Sequence, residues 1–202
     1  NRKNLTAAVL AGLAGVAGIA GTAQAVNMNP DGLGQVLIYP YYTANGGNST
    51  MLSVVNTTDN AKAVKVRFME GYNSREVLDF NLYMSEWDVW VASIEAGDSG
   101  PKLVIPDSSC TVPYLFDEEM GYGEQVFLDL AFTGQFADGG PTDIGRAAEG
   151  HFEMIEMGTL TGEAADAVRH GSDDLPADCM ALTDAWTDFG AAQGTDGNGQ
   201  WF

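Results

Sequence analysis

Between Gln35 and Ile94 the chain repeats one pattern: a short run rich in β-branched and aromatic residues, then a tight turn. Gln35–Tyr42 and Ser49–Asn56 are two such runs. In the third, Val64, Val66 and Phe68 alternate with Lys65, Arg67 and Met69. In the fourth, Leu78, Phe80 and Leu82 alternate with Asp79, Asn81 and Tyr83. Asp88–Ile94, with Trp87 and Trp90 at or near its start, is the fifth. Alternation with a period of two makes half-buried strands. The turns between them, Asn45–Asn48, Thr57–Asn60 and Gly71–Ser74, leave no room for crossover helices, which parallel strands require. The pattern therefore predicts an antiparallel, immunoglobulin-like β-sandwich, without the Cys–Trp–Cys signature of antibody domains. Pro40 cannot donate to a ladder, so its strand is expected to lie at an edge or to bend there.

Beyond Ile94 the pattern loosens. Gly97–Met120 holds three prolines, including Pro106 and Pro113, and reads as irregular. Glu124–Thr133 returns to alternation, with Val126, Leu128, Leu130 and Phe132 on one face. Phe136–Gly145 reads as a Gly/Asp/Pro loop and His151–Met157 as another strand. After Gly158 the period changes. Glu163–His170, between Thr161 and Gly171, predicts a short capped helix, and Asp178–Phe189 a second. The expected organisation is a leader at 1–25, a sandwich domain at 26–158 and a small helical appendage at 159–202.

The leader is read from order. Arg2 and Lys3 precede an apolar run from Leu5 to Ile19, and Ala23-Gln24-Ala25 follows as an A-x-A cleavage signal. That is the arrangement of a secretory signal peptide. The run is short and glycine-rich for a bilayer span, which needs about 20 apolar residues. The mature chain would start at Val26, with no membrane span after cleavage. The abrupt Trp201-Phe202 after Gly197-Asn198-Gly199-Gln200 leads us to expect more chain beyond it. Formal net charge is −19; all 28 acidic residues follow the leader, whereas Arg2 and Lys3 fall inside it. Such a surface repels nucleic acid and anionic membranes. Two cysteines, Cys110 and Cys179, in an exported chain predict one disulfide, the alternative being two unpaired thiols.

Met51-Leu-Ser-Val-Val-Asn-Thr-Thr58, Val64-Lys-Val-Arg-Phe68 and Ser74-Arg-Glu-Val-Leu-Asp-Phe80 form one block, and Glu149-Gly-His-Phe-Glu-Met-Ile-Glu-Met-Gly158 a second. Together they resemble uncharacterised secreted or cell-surface proteins of Gram-negative bacteria with an N-terminal immunoglobulin-like sandwich. The resemblance spans Gln35 to Trp186. It implies an exported envelope protein continuing past Phe202, and it implies no activity.

Chemistry-bearing motifs are sparse. Gly97-Asp98-Ser99-Gly100-Pro101 is similar to the setting of a trypsin-type nucleophile. That enzyme uses His, Asp and Ser in chain order, and here both histidines, His151 and His170, follow Ser99. The stretch reads as a surface turn. His151-Phe-Glu153 offers two ligands on one strand face, short of the three or four zinc takes. Asp138-Gly-Gly-Pro-Thr-Asp143 and Thr195-Asp196-Gly-Asn198-Gly199 place oxygens among glycines, so Asp138, Asp143, Asp196 and Asn198 are calcium candidates. Neither stretch is a full EF-hand loop, and generic acidic turns account for both. Tyr39, Tyr41, Tyr42, Trp87 and Trp90 offer flat rings for stacking on a sugar, if they are not simply core. Tyr41, Trp87 and Trp90 are the ligand-binding candidates.

These readings point to an exported, non-enzymatic structural or adhesive cell-surface module, with an extracellular protein or glycan as partner and no cofactor other than calcium. The rivals are a glycan-binding or calcium-dependent module of a larger secreted hydrolase or surface-layer protein.

Overall fold

The computed structural model describes residues 29–193. The predicted leader, Asp196 and Asn198 lie outside them. The chain divides into two compact units, 1–34 and 35–202. The described part of the first is a turn in which the Asn29 side-chain oxygen accepts the Asp31 N–H at 2.9 Å.

The second unit is mainly β. Among its described residues the strands are β1 (Val36–Thr43), β2 (Thr50–Val55), β3 (Lys62–Glu70), β4 (Glu76–Met84), β5 (Val89–Gly97), β6 (Gly100–Ile105), β7 (Thr111–Val112), β8 (Gly123–Val126) and β9 (Glu149–Thr159). Two helices follow, α1 (Glu163–Ala167) and α2 (Cys179–Gln193). The strands form two antiparallel sheets, ordered β1-β9-β3-β4-β7 and β2-β5-β6-β8. All five strands expected before Ile94 form. Pro40 sits on edge strand β1, and the β1–β9 register shifts between Tyr39 and Tyr42. Both expectations for Pro40 hold, because a ring without an N–H is tolerated where no neighbour needs the donor. The first strand pairs with the last, whereas the first strand of an immunoglobulin domain pairs with the second.

Alternation places one face of each sheet inward. Val64, Val66, Phe68, Leu78, Phe80, Leu82, Phe152 and Met154 meet Leu52, Trp90, Ala92, Ile94, Leu103 and Ile105 in one core. Burying side chains of this size stabilises by about 1.5–3 kcal/mol each. Rings lock the centre: Phe68 lies 5.4 Å from Phe127 and 5.2 Å from Phe152, and Tyr42 meets Phe127 edge-on at 5.7 Å. The seams between the sheets are laced as well. On one side the Tyr39 hydroxyl donates to Ser53 O at 3.4 Å, and Thr43 N–H to Thr50 Oγ1 at 2.9 Å. On the other, Leu128 N–H donates to Val77 O at 2.7 Å.

That last bond corrects one expectation. Glu124–Thr133 is not a continuous strand: β8 stops at Val126, and Leu130–Phe132 is a 3-10 turn. Phe127 N–H still bonds Pro101 O. The next residue then crosses to β4, and the alternation breaks. Phe127 and Phe132 are buried while Leu128 and Leu130 face solvent. Gly97–Met120 also holds more than irregular chain. Gly100–Ile105 is a full strand with Pro101, Leu103 and Ile105 buried. Pro101 is its second residue and Pro106 follows its end, so neither interrupts it.

A second, smaller core explains why β4 is buried on both faces. Tyr83, on its outer face, packs with Ala61, Ala63, Val168, Leu182 and the cystine. The predicted disulfide joins Cys110 to Cys179 across 69 residues, with Cα atoms 5.1 Å apart. It fastens the first residue of α2 beside β7. Trp186 Nε1 donates to the Tyr83 hydroxyl. α1 is shorter than expected and is not capped by Thr161: Gly162 stands at its N-cap with no side-chain bond. α2 is capped, because Asp178 Oδ1 accepts the Ala181 N–H at 3.0 Å. Asp178→Ala is expected to cost about 1 kcal/mol in urea unfolding; an unchanged midpoint would mean that α2 does not need its cap.

Candidate functional site

Loops gather at two ends of the sandwich, and the sequence candidates sort between them. One end, here the loop end, carries the β1–β2 turn, the β3–β4 turn, the Asp98-Ser99 hairpin tip and the long segment from Thr133 to Ala148. The other, the helical end, carries the β4–β5 turn, the cystine, α1 and α2.

Ser99 occupies the hairpin tip, where Gly97 pairs with Gly100. It is exposed, as expected of a surface turn. Gly100 has φ +127, and a Cβ there would meet Ile144 Cγ1 at 2.6 Å, so glycine is required by both backbone and neighbour. His170 lies at the helical end, with Nδ1 3.3 Å from Ser85 Oγ. His151 lies on β9, paired with Met69. The structure therefore does not bring Ser99 to His170.

The strongest polar feature of the loop end is one that sequence reading passed over. Arg146 reaches inward from the 133–148 segment between two carboxylates. Its Nη2 donates to Glu70 Oε1 at 2.9 Å and to Asp138 Oδ2 at 2.6 Å, and Nη1 donates to Asp138 Oδ1 at 2.8 Å. Side-chain exposure is 2% for Arg146, 0% for Glu70 and 5% for Asp138. Glu70 also accepts the backbone N–H groups of Tyr72, Asn73 and Arg75. Burial pushes the Glu70 carboxyl up, but Arg146 and those backbone donors outweigh it and hold it at about 2. Arg146, then Asn73 and the Gly140 N–H, hold Asp138 well below the usual carboxylate range. Tyr42 completes the cluster. Burial, and then the Glu70 charge, push its phenol up, and it donates to Ala147 O at 3.0 Å.

This cluster bears on the calcium reading of Asp138. Both its oxygens are taken by a guanidinium, and Asp143, exposed on the same segment, does not join it. Among the described residues no three His, Cys, Asp or Glu side chains gather to hold a metal ion. Calcium at Asp138 would have to displace Arg146. The melting temperature is therefore expected to be the same in calcium and in chelator. A rise in calcium that vanishes in Asp143→Asn would restore that loop as a site; a rise that persists there would call for the same test at Asp196 and Asn198.

The cluster also fixes an exposed ring. Tyr72 is 65% exposed, yet the Arg146 guanidinium lies 4.9 Å from its centroid. Gly140 closes on its edge so tightly that a Cβ there would sit 2.6 Å from Tyr72 Cε1. Phe132 takes the guanidinium at 4.5 Å as well. Tyr72 thus has one face held from beneath and the other open to solvent. Gly71 N–H bonds Glu149 O, which brings the turn beside Glu149. Glu149 accepts the Tyr41 hydroxyl at 3.2 Å on one oxygen and the Asn45 side-chain amide on the other. Tyr41, a sequence candidate, is 58% exposed and belongs to this end.

The other two aromatic candidates separate from it. Trp90 is 0% exposed, its ring 5.9 Å from Phe80, so it is a core residue with no face to offer. Trp87 is 63% exposed at the helical end, on a backbone with φ +60 that non-glycine residues rarely adopt. A shallow apolar groove of about 360 Å³ also lies toward that end, between Ala63, Tyr83, Leu160, Leu182 and Trp186. No helix among the described residues is long and apolar enough to cross a membrane. Comparison of the chain with protein-family models, with curated proteins and with solved structures finds no match.

Proposed function

We propose that this chain is an exported, non-enzymatic module that acts as a structural or adhesive element at the cell surface, with its loop end as the working face. The observation that carries the reading is the Tyr72 ring, exposed yet backed by a buried arginine whose two Nη groups are held by Glu70 and Asp138. A flat aromatic face already fixed before contact loses little freedom on binding, which is what a recognition surface needs. Export is supported by the order of charge, apolar run and A-x-A site at the N-terminus. The cystine suits an oxidising compartment. Two antiparallel sheets with loops gathered at two ends support an immunoglobulin-like reading of the architecture, while the strand order differs from that of an immunoglobulin domain. The resemblance to secreted and cell-surface proteins of Gram-negative bacteria points the same way.

Adhesion is the direct test. Beads coated with the disulfide-bonded protein are expected to bind envelope preparations of the producing cells, and Tyr72→Ala beads to bind much less. Equal retention by both, or no retention by either, would remove the loop end from the reading. N-terminal sequencing of envelope and medium fractions is expected to start at Val26; an intact leader on retained protein would overturn export.

A further inference from the structure

We infer that the loop end binds a polysaccharide of protonated amino sugars, laid across the Tyr72 ring with Glu149 and Tyr41 beside it. The inference rests on the reading of that end as the working face and names its ligand.

Three observations carry it. The first is the platform. A pyranose ring presents an apolar C–H face that covers a flat aromatic side chain, and Tyr72 offers such a face with its position set by Arg146 and Gly140. Glu70 and Asp138 more than offset the charge of that arginine, so the platform is not itself a cationic spot. The second is the acceptor. Each Glu149 oxygen takes one hydrogen bond, from Tyr41 or from Asn45, and a carboxylate oxygen has capacity for more. Glu149, whose backbone oxygen accepts the Gly71 N–H, presents an exposed carboxylate that matches an ammonium or a sugar hydroxyl. The third is the field. Asp98 and Asp143 are exposed at the same end; Arg146 is hidden, Arg75 is 42% exposed but lies 3.6 Å from Asp138, and Lys102, beside Gly97, pairs with Glu124. In a chain of net charge −19 this surface repels uronate and sulfate polymers and attracts cationic ones. An ammonium is also drawn to the open face of a tyrosine ring. Because the surface is a platform rather than a cavity, it suits successive units of a polymer more than a single sugar.

The experiment is calorimetric titration of the disulfide-bonded protein with three probes: a glucosamine hexamer, an N-acetylglucosamine hexamer and a galacturonate hexamer. The glucosamine hexamer is expected to bind, and the acetylated hexamer, which lacks the charge, to bind about tenfold more weakly. The galacturonate hexamer is expected not to bind. Tyr72→Ala is expected to weaken the glucosamine hexamer by about tenfold, Tyr72→Phe to keep it, and Trp87→Ala, at the other end, to leave it unchanged. Binding that ignores Tyr72→Ala would be general attraction of a cation to an acidic protein, and would overturn the inference. So would loss in Trp87→Ala alone. If the acetylated hexamer binds as tightly and still depends on Tyr72, the platform stands and the amino-sugar assignment falls. If no hexamer binds, the assignment falls, and the bead assay separately decides whether the loop end works at all.

Discussion

Removing the cystine with Cys110→Ala and Cys179→Ala together is expected to lower the melting temperature by about 8–16 °C. The bridge closes 69 residues, and releasing a loop of that size costs about 4 kcal/mol through unfolded-state entropy, at roughly 2–4 °C per kcal/mol for a chain of this length. The loss should not spread evenly. The sandwich keeps its own core of Trp90, Phe68, Phe80 and Phe152, whereas α1 and α2 rest on a small cluster around Tyr83 and the cystine. Hydrogen exchange of the reduced protein should therefore show Val168, Leu182 and their neighbours opening first, with β3, β5 and β9 still protected. Equal loss of protection in both parts would mean that the helical layer and the sandwich fold as one unit. An unchanged melting temperature on reduction would mean that the bridge constrains little.

Glu70→Gln is expected to cost about 3 kcal/mol at neutral pH, because it leaves Arg146 short of a charge and sets an amide hydrogen against backbone donors. It should also change how stability depends on acid. Glu70 titrates at about 2 in the folded chain, against an ordinary value of 4.5. A carboxyl lowered by folding stabilises above its unfolded value, and that contribution drains away as pH falls toward the folded one. The wild type should lose stability between about pH 5 and pH 2 partly through this group, and Glu70→Gln should be less stable at pH 7 but flatter across that window. The comparison isolates Glu70, since the other acids are common to both proteins. Parallel curves would mean that Glu70 has no special share in acid unfolding. Asp138, also held low by Arg146, Asn73 and the Gly140 N–H, keeps some slope in the variant.

The strands were legible because each carries its own signal. Val64, Val66 and Phe68 announce a buried face within five residues, and Cys110 and Cys179 are the only partners each other has. The Arg146 cluster was not legible, because its members come from segments that read as turn and loop. Arg146 and Glu70 are 76 residues apart, and no local period brings them together. One signal was there to use: Arg146 is the only Lys or Arg between Lys102 and Arg169, in a stretch of Gly, Asp and Pro within a very acidic chain. A lone cation in such company has carboxylates to find. Tyr72 was hidden by its setting, since Gly71-Tyr-Asn-Ser74 reads as punctuation. β6 was obscured by its prolines, and Leu128 and Leu130 show how a period of two misleads once a chain changes sheets.

The pairing of β1 with β9 has a mechanical consequence. β1 begins where β9 ends: Val36 faces Ile155 while Thr43 faces Glu149. Tension applied between Gln35 and the chain leaving Thr159 therefore pulls on two strand tips at one end of the sandwich. Such a load falls on the rungs of the ladder in succession, and β1 would peel off under modest force instead of resisting as a block. β3 holds β9 from its other side, β4 lies one strand further in, and the turn that carries Tyr72 joins β3 and β4 at the far end. The chain would lengthen under strain at the end where β1 begins, while the turn that carries Tyr72, at the other end, stays folded.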